Sequence, residues 1–162
     1  MLQPPVILNN TPLVAFYLLD QLNILQALFG QVLIPEAVQT EFLAIDYKNR
    51  KTALEQSSWI KVAPLQNPKQ MLVFDRLDEG EAAVLALAME QDARLVIIDE
   101  RRARKYVRRL QLPLTGTLGV LLLAKQEGLI TSVKTQIETL LAADFYLSEA
   151  VIKRVLEIAQ EA

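Results

Sequence analysis

Four side chains stand where this sequence can do chemistry: Asn9, Glu41, Glu81 and Asp99. Asn9 directly follows the apolar run Val6-Ile7-Leu8, and Asp99 directly follows Leu95-Val96-Ile97-Ile98. In an open parallel sheet, ligands bind beyond the carboxyl ends of the strands, which is where residues in these two positions emerge. Glu41 lies nearly two turns into the helix that Pro35-Glu36 begins, and Glu81 lies in the first turn of the helix opened by Asp78-Glu79-Gly80. Helices returning alongside strands can bring both side chains to the same end of the sheet. Phosphodiester hydrolysis by divalent ions needs several carboxylate oxygens around one or two ions and an ion-activated water. Clustered carboxylates repel one another without the cation, so the cation belongs to such a site.

The composition narrows the alternatives. The chain has 162 residues with no cysteine and no histidine, which removes disulfides, thiolate nucleophiles, soft zinc sites and every imidazole base. Carboxylates, hydroxyls, Lys and Arg remain, a set suited to Mg²⁺ or Mn²⁺. With 17 Lys and Arg against 19 Asp and Glu, the net charge is -2, so any grip on nucleic acid must be a local patch. One such patch follows Asp99. Ala103, Tyr106, Val107 and Leu110 recur at helical spacing as the expected buried stripe. Arg101, Arg104, Lys105 and Arg108 fall opposite it, with Arg102 and Arg109 beside them. Guanidinium forks match phosphate oxygens, so this helix is a candidate RNA contact. A solvated charged face is the plain alternative. On either reading, reversing Arg101, Arg104 and Lys105 to Glu is expected to leave stability nearly unchanged.

The acids have structural readings too. Asp78-x-x-Glu81 before an apolar run is a capping box, Asp99 can cap the helix that follows it, and Glu41 can lie on a wet helix face.

The elements that must position these residues alternate in type. The runs at 6–8, 32–34 and 95–98 read as buried parallel strands, Trp59 to Val62 as an edge strand, and Leu112 to Leu114 as one more short strand. Thr11 is expected to cap the first helix with Pro12 at its first position. Residues 46–58 read as irregular or weakly helical, and 64–69 as turn. The helix after Asp78 is apolar on nearly every side and therefore buried. Gly116-Thr117 starts a helix that Gly128 ends, and amphipathic helices near 131–142 and 148–160 finish the chain. This order predicts one α/β domain over residues 1–162, with a mostly parallel sheet covered on both faces. The five glycines form neither a dinucleotide fingerprint nor a P-loop. The N-terminus lacks the basic and apolar regions of a signal peptide and no apolar run is long enough to span a bilayer, so the cytoplasm is the expected location.

Six segments in order, VILNNTPLVA, IPEAVQTEF, LDEGEAAVLALA, LVIIDERRARK, LPLTGTLGVLLLAK and FYLSEAVIKRVLE, resemble the PIN-domain superfamily. The likeness is to the branch described as predicted nucleic-acid-binding proteins containing a PIN domain, and it covers nearly the whole chain. It implies a three-layer α/β/α sandwich and a ribonuclease site dependent on Mg²⁺ or Mn²⁺. It places the family's acids at Asn9, Glu41, Glu81 and Asp99, with Glu41, Glu81 and Asp99 as metal ligands and the hydroxyl of Thr11 or Thr117 nearby. The departure is Asn9, where an Asp is expected: Asn keeps one carbonyl oxygen and loses the charge. The resemblance further implies RNA as substrate, a toxin–antitoxin pairing with a small inhibitory protein, and a possible homodimer. Two functions compete, a metal-dependent endoribonuclease weakened at Asn9 and a catalytically silent module that binds RNA or protein. A phosphatase-like hydrolase ranks below both for want of a D-x-D motif. Three carboxylates within a few ångströms would keep the enzyme reading alive, and scattered ones would end it.

Overall fold

Three short apolar runs, separated in sequence by up to 89 residues, become neighbouring parallel strands. The structure is a computed structural model that describes residues 3–162. Strand β1 (Val6–Leu8) lies between β2 (Val32–Pro35) and β4 (Leu95–Ile97), while β3 (Ile60–Ala63) and β5 (Leu114–Thr115) form the edges. All pairings are parallel, in the order β3-β2-β1-β4-β5. Helices cover the sheet in a three-layer α/β/α arrangement. The side chains of β1 are buried on both faces, which is why this strand reads as an unbroken apolar run rather than an alternating one. Burying each such side chain is worth about 1.5–3 kcal/mol.

The helices follow in chain order: α1 (Asn10–Leu18), α2 (Asn23–Phe29), α3 (Glu36–Leu43), α4 (Tyr47–Glu55), α5 (Glu79–Gln91), α6 (Arg101–Arg109), α7 (Thr117–Gln126), α8 (Val133–Ala142) and α9 (Glu149–Ile158). Helix α5 is buried at every position from Gly80 to Ala88, as its all-round apolar character requires. Gly128, at φ +76° just past the end of α7, supplies the left-handed turn that other residues resist.

Two expectations need correction. Asn9, not Thr11, is the residue before the first helical turn, so Thr11 and Pro12 are its second and third residues. Proline is tolerated there because the first four amides of a helix lack intrahelical acceptors. Residues 47–55 form a regular helix, α4, although they carry no apolar stripe. A cation anchors it instead. Arg50 is 7% exposed, donates from Nη1 to the Phe42 carbonyl at 3.0 Å, and lies 5.3 Å from the Tyr17 ring centroid and 4.9 Å from that of Phe42. Apolar periodicity is blind to a helix held by cation–π packing. The turn-rich stretch also tightens into a 3₁₀ helix over Pro68–Phe74.

Candidate metal and nucleic-acid site

The chain builds β2 and β3 on one side of β1 and then crosses to β4 on the other. The β1–β4 boundary is thus the point where strand order reverses, the place where open α/β sheets form a crevice. Asn9 extends the pairing one step beyond β1, its amide donating to the Ile97 carbonyl at 3.0 Å. Asp99 follows β4 by two residues, and Leu8 pairs in register with Ile97. Asn9 and Asp99 therefore emerge at the same edge, as the run order predicts. Asn9 is 4% exposed and its side chain makes no capping hydrogen bond.

Asp99 is tied to the start of α7. Its Oδ1 accepts from the Thr117 amide at 2.7 Å, and its Oδ2 accepts from the Thr117 hydroxyl at 2.6 Å. Thr117 is buried, whereas Thr11 is exposed in the first turn of α1, so the hydroxyl brought to Asp99 is that of Thr117. Asp99 is not the cap of α6, because Glu100 accepts from the Ala103 amide at 3.1 Å in that role. Gly116 permits the arrangement, since a Cβ there would collide with Asp99 Oδ1 and would stand 3.3 Å from Arg104 Nη1.

The other acids gather where α3 meets the start of α5. A Cβ at Gly80 would lie 2.7 Å from Glu41 Oε2 and 3.6 Å from Asp78 Oδ1, so glycine lets the two helices approach. The capping box is present: Asp78 Oδ1 accepts from the Glu81 amide at 2.7 Å, and Glu81 Oε1 accepts from the Asp78 amide at 3.1 Å. Glu81 is 8% exposed. Burial pushes its carboxyl up to about 7; the charges of Asp78, Glu100 and Glu41 add to the rise, and the Asp78 amide opposes it. Glu41 is also raised, by burial and then by Asp78, against a lowering hydrogen bond from Asn10. It lines a cleft of about 510 Å³ with Glu36, Asp78, Glu79 and Gly80. Asp78 and Asn10 thus join the acidic region, although the capping pattern hid the first and the second is neutral.

Among the described residues, no three carboxylates stand together as a ready ion site. They form two halves, Glu41–Asp78–Glu81 and Asp99–Thr117. The donor set nevertheless suits a hard cation in kind. Carboxyls raised by burial and like charge favour a proton or a metal as partner, and the buried Asn10 Oδ1 has no hydrogen-bond donor among the described residues.

The cations of α6 divide as well. Arg101, Arg102, Lys105, Arg108 and Arg109 are exposed, whereas Arg104 is half-buried. Its guanidinium turns toward Gly116 and Asp99, not toward the solvated face, because the start of α7 packs there. The expectation that Arg104 lies opposite the buried stripe is corrected.

A family model described as a PIN domain matches residues 5–161. The chain belongs to the PIN-domain family. No curated protein matches it. PIN domains are nuclease-like, generally bind nucleic acids and use divalent metal ions. No helix among the described residues is long and apolar enough to cross a membrane.

Proposed function

We propose that this PIN domain is a ribonuclease dependent on Mg²⁺ or Mn²⁺ and weakened by Asn9, with Glu41, Glu81 and Asp99 as the residues that hold the ion. The observation that carries the reading is Glu81. A glutamate buried at the start of α5, within electrostatic range of Glu41, Asp78 and Glu100, is destabilised as an anion until positive charge arrives. A bound divalent ion would supply that charge and an activated water. Asn9 would contribute one carbonyl oxygen, and Thr117 would orient Asp99 through its amide and hydroxyl. The exposed cations Arg101, Arg102, Lys105 and Arg108 would meet the RNA backbone.

Restoring the missing charge tests this. Asn9→Asp is expected to tighten Mg²⁺ or Mn²⁺ binding by at least about tenfold, roughly 1.4 kcal/mol, measured by calorimetry. Cleavage of single-stranded RNA should rise with it, and Asp99→Asn in the Asn9→Asp background should remove the gain. The separation of the carboxylates into two halves, together with neutral Asn9, favours a second reading, a silent RNA-binding module on a nuclease fold. That reading is selected if Asn9→Asp changes neither affinity nor cleavage while RNA binding persists in chelator.

A further inference from the structure

Arg104 differs from the other cations of α6 in every respect that bears on a ligand. It is half-buried while they are exposed. Its Nε is fully buried and has no acceptor among the described residues, an arrangement that costs free energy. Its Nη1 stands 3.3 Å from the point where a Gly116 Cβ would be, and Asp99 Oδ1 crowds the same point from the other side. Guanidinium and carboxylate therefore share the space that a side chain at position 116 would fill. They do not pair: among the described residues no carboxylate oxygen lies within 4.0 Å of an Arg104 nitrogen. Both Asp99 oxygens instead accept from Thr117. Among the described residues the terminal nitrogens of Arg104 find no hydrogen-bond partner and, unlike Nε, are not sealed from solvent. The result is a charged fork, open at its tip and without a close ion pair among the described residues, beside Asp99, whose charge it feels.

We propose that Arg104 is the anchor for one phosphodiester of the RNA, gripping its two non-bridging oxygens beside Asp99, while the exposed cations of α6 act on the backbone at large. The inference rests on the ribonuclease reading above and deepens it. A planar fork suits this task because it meets two phosphate oxygens at once, whereas an ammonium offers a point charge. Gly116 leaves room for the arrangement, for a Cβ there would collide with Asp99 Oδ1 and press on the fork at 3.3 Å.

The test uses the full chain in chelator and fluorescence anisotropy with single-stranded oligonucleotides, each carrying one uncharged methylphosphonate linkage at a different position. For wild type and for Arg101→Gln, one linkage in the series is expected to weaken binding about tenfold. For Arg104→Gln, binding to the fully charged strand should already be about tenfold weaker, with a log–log salt slope shallower by about 0.7, one single-strand phosphate contact. Neutralising that same linkage should then cost nothing more. Arg104→Lys, which keeps the charge beside Asp99, should show an intermediate loss and serves if the Gln variant fails to melt cooperatively. Wild-type affinity in both Arg104 variants, or an Arg104→Gln deficit that adds to every neutral linkage alike, overturns the anchor. Cleavage by wild type that Arg104→Gln leaves unchanged also overturns the anchor alone. RNA binding without cleavage in Mg²⁺ or Mn²⁺, even after Asn9→Asp, overturns the ribonuclease reading alone, and the linkage series still judges Arg104. Failure of wild type to bind RNA overturns both.

Discussion

Glu81→Gln should make the protein more stable at neutral pH while removing its response to metal. The side chain is 8% exposed, and its carboxyl is raised from 4.5 to about 7, first by burial and then by the neighbouring acids after allowing for the Asp78 amide. A carboxyl whose folded pKa lies above its unfolded one holds its proton more tightly in the native state. Native stability therefore falls as pH rises from 4.5, and the loss is complete above about 7. At about 1.4 kcal/mol per pH unit this amounts to at most roughly 3 kcal/mol, which solvent screening reduces toward about 2. Glutamine is neutral, nearly isosteric, and keeps an amide oxygen to accept from the Asp78 amide, so the helix cap survives. Urea unfolding in chelator should show matching midpoints for wild type and variant at pH 4. By pH 8 the variant should lead by about 1–1.5 M, taking a slope of about 2 kcal/mol/M. Adding Mg²⁺ or Mn²⁺ at pH 8 should raise the wild-type midpoint and leave the variant unchanged. Equal midpoints at pH 8, or a less stable variant there, would refute the claim that Glu81 is a buried anion without a counter-charge.

Two further outcomes follow from residues away from the crevice. Glu161 accepts from Ser132 Oγ at 2.8 Å, Lys125 Nζ at 3.0 Å, and the amides of Val133 and Lys134 at 2.8 and 3.0 Å, latching the chain end to the start of α8. Burial alone would raise its carboxyl, but these donors hold it down to about 2. Its contribution should be complete above pH 4.5 and vanish as pH falls through about 2. Glu161→Gln should thus cost roughly 2–3 kcal/mol at pH 7 by chemical denaturation, with the gap to wild type narrowing below pH 4.5. Arg50→Ala removes the cation between Tyr17 and Phe42 and unpairs the Phe42 carbonyl. A loss of about 2 kcal/mol is expected, and hydrogen exchange should show α4 amides losing protection before those of β1.

What could be read in advance was local. Val6–Leu8 and Leu95–Ile97 announced themselves because strands buried on both faces must be apolar at every position. The capping box at Asp78 and Glu81 is a pattern four residues long, and Gly128 marks its helix end through a backbone angle that concerns Gly128 alone. The shared edge of Asn9 and Asp99 was also legible, because parallel strands joined by helices leave little freedom about where their ends emerge.

Distant packing decided the rest. Thr11 and Thr117 are equivalent as hydroxyls in a sequence, and only the docking of α7 beside β4 brings Thr117 to Asp99. Arg104 belongs by helical spacing with its exposed neighbours, yet the glycine at 116, twelve residues on, opens the space that takes its guanidinium inward. Helix α4 needed Tyr17 and Phe42 from two other helices before its Arg50 had anything to rest on. The division of the acids into two halves is of the same kind. Residue type and strand order determined that Asp99 would emerge with Asn9 at one end of this sheet, not where the other acids would lie beside it. Their separation depends on side-chain directions fixed by a capping box on one side and a threonine on the other, and such directions are settled only when the helices have packed.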